Sequence, residues 1–128
     1  MALLFKPKAA HTPTHPPISE QHPDEWWSAF KQCLGQLGKL NVGGISVSGQ
    51  GHGLVAIDDK DQIIKPAKLW NDTTSDKQSE NIIREFGPKY WADKIGTLPL
   101  ASFTITKLLW LQENEPENYR KLKKIMLP

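Results

Sequence analysis

The chain has 128 residues, 38% of them hydrophobic, with 16 Lys and Arg against 14 Asp and Glu, a formal net charge of +2. That is one domain's length, enough to bury roughly two-thirds of its surface; the interspersed charge leaves no footprint for nucleic acid, and the one basic run, Arg120 to Lys124, lacks interleaved aromatics and reads as a solvated helix face. The single cysteine, Cys33, excludes an internal disulfide and a cysteine zinc site, and no apolar run suits a secretion signal or a membrane span, so the expected compartment is cytoplasmic.

In chain order, Ala2-Leu3-Leu4-Phe5 reads as the end of a strand. The proline-rich stretch 11–17 reads as an extended surface loop. His11, His15 and His22 are set aside as metal ligands, because no Cys or carboxylate cluster joins them. Pro23-Asp24-Glu25 opens a helix to about Gly38: proline suits the first helical position, and the two acids face the positive end of the macrodipole. Trp26, Phe30, Cys33 and Leu37, flanked by Trp27 and Leu34, form one apolar face, so Trp27 and Cys33 are expected in the core.

Ile45-Ser46-Val47-Ser48 alternates at period two and predicts a strand. Gly49-Gln50-Gly51-His52-Gly53 sets two polar side chains among three glycines, which allows positive φ and a close approach to a ligand. Residues 54–57 run out as a strand, 58–61 supply a turn, and Ile63-Ile64 returns as a hairpin. Pro66 then takes Ala67-Lys68-Leu69-Trp70 out of the ladder and delivers Trp70-Asn71-Asp72 to a loop beside the glycine turn. Thr73-Thr74-Ser75-Asp76 matches a capping pattern for a polar helix to Phe86. Gly87-Pro88 starts a short helix closed by Gly96. Ser102 or Thr104 caps the next, with Ile105, Leu108, Leu109 and Gln112 on one face. Pro116 opens a last helix, and residues 124–127 form a final strand.

The spacing Gly49-x-Gly51-x-Gly53 is not the dinucleotide fingerprint, and no P-loop occurs. Gln50 and His52 offer neutral donors and acceptors, and Trp70 offers a flat apolar face with an N–H, a mix suited to a polyol or sugar. On these residues alone a ligand loop and a tight structural turn stand as equal alternatives. Asp58, Asp59 and Asp61 sit in turn context and read as solvated.

Ser48-Gly49-Gln50-Gly51-His52-Gly53-Leu54, Leu69-Trp70-Asn71-Asp72, Phe103-Thr104-Ile105-Thr106-Lys107-Leu108-Leu109-Trp110 and Glu113-Asn114-Glu115-Pro116 resemble, in order and spacing, the N-terminal domain of the FGGY carbohydrate kinases of the xylulokinase type. The segment 19–27 resembles the family's entry to its first helix. The resemblance implies an α/β ribonuclease H-like, actin-like ATPase domain, a mixed sheet flanked by helices and incomplete at both ends, with residues 1–128 forming part of the sugar-binding domain. It also implies ATP and Mg²⁺ as co-substrates, a ketopentose substrate (D-xylulose, giving D-xylulose 5-phosphate), and further kinase domains or a partner chain to complete the enzyme.

Carried over position by position, the resemblance puts Gln50, Gly51 and His52 in the sugar pocket and Trp70, Asn71 and Asp72 beside it. The family's Asp-x-Gly-Thr-Ser phosphate hairpin is not in this sequence, and its catalytic aspartate is expected beyond the equivalent of Pro128. The alternative reading is a non-catalytic remnant that binds sugar weakly or pairs with another chain. Three departures stand out: Gly51 for a usual methionine, Thr74 for a common arginine, and His22 for an aspartate, the last expected to weaken a helix cap.

Overall fold

A computed structural model describes residues 15–39 and 41–128. The strand expected at residues 2–5, and His11, lie outside the described residues. Chain order gives β1 (Glu20–Gln21), α1 (Pro23–Leu37), β2 (Val55–Ile57), β3 (Ala67–Lys68), α2 (Asp76–Phe86), α3 (Pro88–Ile95), α4 (Thr104–Asn114), α5 (Pro116–Lys121) and β4 (Lys124–Met126).

Among the described residues the ladders are two antiparallel pairs rather than one continuous mixed sheet: β1 with β3, and β2 with β4. Val55 faces Met126 and Ile57 faces Lys124, so the final strand closes on the first strand of the hairpin. The hairpin forms as its turn residues dictate. Asp58 Oδ1 accepts from the N–H groups of Lys60 and Gln62 at 2.9 and 2.8 Å, and Ile57 bridges Ile63. Those backbone bonds hold the Asp58 carboxyl below the usual aspartate range, the bond from Gln62 first among them.

Three expectations are corrected. Residues 45–48 form no strand: Ile45 and Val47 are 64% and 83% exposed, and no described neighbour supplies the ladder that alternation alone cannot provide. Ala67–Lys68 does not leave the ladder after Pro66 but changes partner, pairing with Glu20–Gln21 while Leu54 bridges Lys68. The apolar face of α1 contains no buried residue; Trp27 is 58% exposed and Cys33 half-buried, so neither is core.

The helix starts differ too. His22 does cap α1, its Nδ1 accepting from Asp24 N–H at 3.3 Å. In α2 the cap residue is Ser75, and its hydroxyl turns away from the helix to donate to the Ala101 carbonyl at 2.9 Å, so the capping box expected from Thr73 and Asp76 is not formed. Phe103, not Ser102 or Thr104, precedes α4, and the buried residues of that helix are Thr106, Lys107 and Leu111, whereas Ile105 and Gln112 are exposed.

The reason is hydrogen bonding. The loop 98–103 turns carbonyls inward, and Thr106 Oγ1 and Lys107 Nζ supply donors to them, the latter reaching Ala101 O at 2.7 Å. Glycine closes α2 and α3 as expected, with Gly87 at φ 82° and Gly96 at φ 84°. The apolar centre is Leu54, Ala56 and Leu111, packed by Ile64, Tyr119 and Leu122.

Candidate functional site

The glycine turn is built around a neighbour rather than around backbone freedom. Gly49, Gly51 and Gly53 all keep negative φ, and the left-handed residue is His52, at φ 62°. Pro128 explains two of the glycines. A Cβ at Gly49 would stand 2.6 Å from its carbonyl oxygen, and one at Gly53 would stand 2.4 Å from its Cγ. The close approach expected for a ligand is therefore made at these two positions by the chain itself. Nothing lies within 4 Å of a Cβ at Gly51. His52 is stacked on Phe103, with ring centroids 4.4 Å apart and planes 8° from parallel. Thr104 Oγ1 donates to Gly53 O at 3.2 Å, so the start of α4 fixes the end of the turn.

The second loop follows β3. Asp72 N–H donates back to Leu69 O at 3.1 Å, closing a tight corner that leaves Trp70, 55% exposed, and Asn71 at the surface. Asp72 points the other way and is wholly buried. Its Oδ2 accepts from Ser19 N–H at 2.9 Å and its Oδ1 from Thr74 N–H at 3.0 Å, with Lys68 Nζ 3.4 Å from both oxygens. Thr74, where the family resemblance suggests arginine, bridges this pair: its hydroxyl meets Asp72 Oδ1 and accepts from Lys68 Nζ at 2.7 Å.

Between the loops lies an open groove of about 640 Å³. Pro16, Pro17, Ile18 and Ser19 form one wall, Leu69, Trp70, Asn71 and Thr73 the other, and Gln50 reaches in from the glycine turn. Of the six residues singled out in the sequence, the structure thus brings Gln50, Trp70 and Asn71 to one concavity. Gly51 and His52 are exposed on the same turn without lining it, and Asp72 lies beneath it.

Sequence reasoning missed the wall 16–19: it reads residues 16 and 17 as part of a plain surface loop and Ser19 only as the approach to α1. Its available signal was the acid Glu20 following it, which pairs across the ladder with Lys68. Below the corner, Lys68 Nζ sits 3.8 Å and Lys65 Nζ 4.9 Å from the Trp110 ring centre, and Lys65 also bonds Glu115 at 2.6 Å. Burial pushes the Glu115 carboxyl up, but the bonds from Lys65 and Asn118 and the charges of Lys65 and Lys68 outweigh it and leave it below the usual range.

Among the described residues no three His, Cys, Asp or Glu side chains gather into a metal-holding group, and no helix is long and apolar enough to cross a membrane. The groove is neutral, with one aromatic wall, and the scaffold that carries it is the α/β, actin-like fold of the sugar kinases. The chain belongs to the FGGY family of carbohydrate kinases: the profile of that family's N-terminal domain matches residues 6–128.

It is 41% identical over 124 residues to a xylulose kinase of Streptomyces rubiginosus and 42% identical over 124 residues to one of Streptomyces coelicolor, in each case over 94% of this chain and 26% of the relative. The crystal structure of xylulose kinase from Bifidobacterium adolescentis superposes with a TM-score of 0.83 at 37% identity, covering 89% of this chain and 26% of that one. The chain therefore spans about a quarter of the length of the relatives it matches.

Proposed function

We propose that this chain forms part of the sugar pocket of an ATP-dependent xylulokinase, which transfers the γ-phosphoryl group of ATP to D-xylulose with Mg²⁺ and yields D-xylulose 5-phosphate. The observation that carries the reading is the groove at which Gln50, Trp70 and Asn71 meet. Its volume is in the range of small-ligand sites, and its chemistry divides as a ketopentose requires. Trp70 presents an apolar face to the C–H side of the sugar, while Gln50 and Asn71 exchange hydrogen bonds with hydroxyls, each worth roughly 0.5 to 1.5 kcal/mol net. His52, pinned by Phe103, supplies a further donor or acceptor at the rim, and Gly51 leaves open space where a methionine would narrow the site.

Phosphoryl transfer relies on positioning and charge stabilisation. The residues of this chain orient the attacking hydroxyl, and the phosphate cradle, metal and general base are assigned to the parts of the relatives that it does not span. Titration of the chain with D-xylulose, followed by amide NMR, tests the pocket: shifts at Gln50, His52 and Trp70 at millimolar sugar are expected. Unperturbed spectra there, or equal shifts with glycerol, refute a ketopentose site. ATP-dependent phosphorylation of D-xylulose by the whole enzyme from its native source tests the reaction, and an inactive product with intact mass refutes it.

A further inference from the structure

We infer that Asp72 is a positioning residue that touches no sugar and instead staples the two walls of the groove at the spacing the ligand needs. The inference rests on the sugar-pocket reading above. The two walls are separate segments, 16–19 and 69–73, and three bonds tie them. Leu69 N–H donates to Ser19 O at 2.9 Å, extending the β1–β3 ladder by one position, and Thr73 N–H donates to Pro17 O at 3.1 Å from beyond the corner. The third is the Asp72 carboxylate, which takes Ser19 N–H where the turning backbone no longer offers a carbonyl.

The same carboxylate takes Thr74 N–H, so it fixes the corner that presents Trp70 and Asn71 as well as its distance from the opposite wall. Its burial is made tolerable by Lys68, itself wholly enclosed and paired also with Glu20 at 3.3 Å. No oxygen of Asp72 is left facing the groove. Both are committed to protein donors on opposite sides of it.

The test is Asp72→Asn in the full chain, read by residue-resolved amide exchange and by D-xylulose titration. The amide keeps the size of the side chain but turns one acceptor into a donor, so it cannot serve Ser19 and Thr74 together. Exchange at Ser19 and Thr74 is expected to quicken at least tenfold while Ala56 and Leu111 stay protected, and the Kd for D-xylulose to rise at least tenfold. Weakened sugar binding with unchanged Ser19 and Thr74 exchange overturns the inference, since Asp72 would then act on the ligand directly.

Quickened exchange with unchanged affinity overturns it equally, because wall spacing would not matter. If Asp72→Asn also loosens Ala56 and Leu111, Ser19→Pro decides. It removes the one N–H that the other wall gives to Asp72 and must reproduce the loss of affinity; an unchanged Kd refutes the staple. Wild-type chain that shows no D-xylulose binding refutes the sugar reading instead, and the exchange rates still decide whether Asp72 holds the walls.

Discussion

Replacing Lys107 by methionine is expected to leave the fold intact and, at neutral pH, to stabilise it. Lys107 is wholly buried. Burial pushes its amine down to about 8, with Asp72 pulling up and Lys68 adding to the fall. A drop of that size from the usual 10.5 corresponds to roughly 3 kcal/mol of cost carried by the charged form in the folded state. The return is its hydrogen bond to Ala101 O, of the order of 1.5 to 3 kcal/mol for a charged donor. That carbonyl also accepts from Ser75 Oγ and Thr106 Oγ1, so methionine leaves it satisfied.

The two effects nearly cancel, and Lys107→Met should change stability by no more than about 1 to 2 kcal/mol, in the stabilising direction. Lys107→Ala should be about 2 to 5 kcal/mol less stable than Lys107→Met through the cavity. The pH dependence is sharper. Below pH 8 the lysine is charged in both states and the wild type bears the full cost. Between about 8 and 10.5 the unfolded chain holds a proton that the folded chain does not, so wild-type stability rises with pH. Urea denaturation of both proteins from pH 7 to 10.5 should show the difference moving by up to about 3 kcal/mol in favour of the wild type, so that the small advantage of Lys107→Met at pH 7 is lost and then reversed. A difference that stays constant over that range refutes a buried, cost-bearing amine.

His52→Asn, which tolerates the left-handed backbone at φ 62° but removes the ring stacked on Phe103, should keep thermal stability within a few degrees. It should also weaken D-xylulose binding about tenfold by calorimetry; an unchanged Kd removes His52 from the pocket. Gly53→Ala should lose about 1 to 3 kcal/mol by chemical denaturation, and Pro128→Ala should restore most of it, because the clash is with the proline ring. Gly49→Ala should resist that rescue, since its clash is with the backbone oxygen of the same residue, and equal rescue of both refutes the packing. Glu115 has a lowered carboxyl, so its bonds to Lys65 and Asn118 support the fold above its unfolded value of 4.5 and are lost as pH falls through the folded one. Thermal melts of wild type and Glu115→Gln should therefore stay separated above 4.5 and converge only as pH falls through the lowered folded value, and parallel curves refute it.

What could be read from the sequence divides by whether a signal is local. The hairpin 54–64, the proline helix starts and the glycine stops at Gly87 and Gly96 depend on φ preferences and turn bonds of a few neighbouring residues, and all form. Partnership is not local. The stripe Trp26, Phe30, Cys33 and Leu37 marks a face of α1 able to cover a surface, yet periodicity cannot say what that surface is, and the four side chains are only half-buried. In α4 the error runs the other way. Thr106 and Lys107 look like solvent-facing residues until the inward carbonyls of residues 100–103 are known. In the site, Gln50 and Trp70-Asn71 stood out because glycine and the polar corner advertise loops, whereas the wall 16–19 offered prolines that equally suit any surface loop.

Beneath the groove two charged residues, Lys68 and Asp72, are buried, and three more are partly buried around them. Lys65, Lys68, Glu20, Asp72 and Glu115 form a connected set around Trp110, and each lysine reaches at least one acid. Such a set is a poor source of stability, since apolar residues of similar volume would do as well or better. Unlike apolar packing, however, it has direction: a carboxylate that must meet Ser19 N–H, Thr74 N–H and Lys68 Nζ tolerates little displacement of any of them. The exposed Trp70 and Asn71 sit on a two-residue corner between buried Leu69 and buried Asp72, so the polar cluster fixes one end of that corner. On the proposed sugar-pocket reading such an anchor serves recognition, because binding of hydroxyls depends on donors held in place before the ligand arrives.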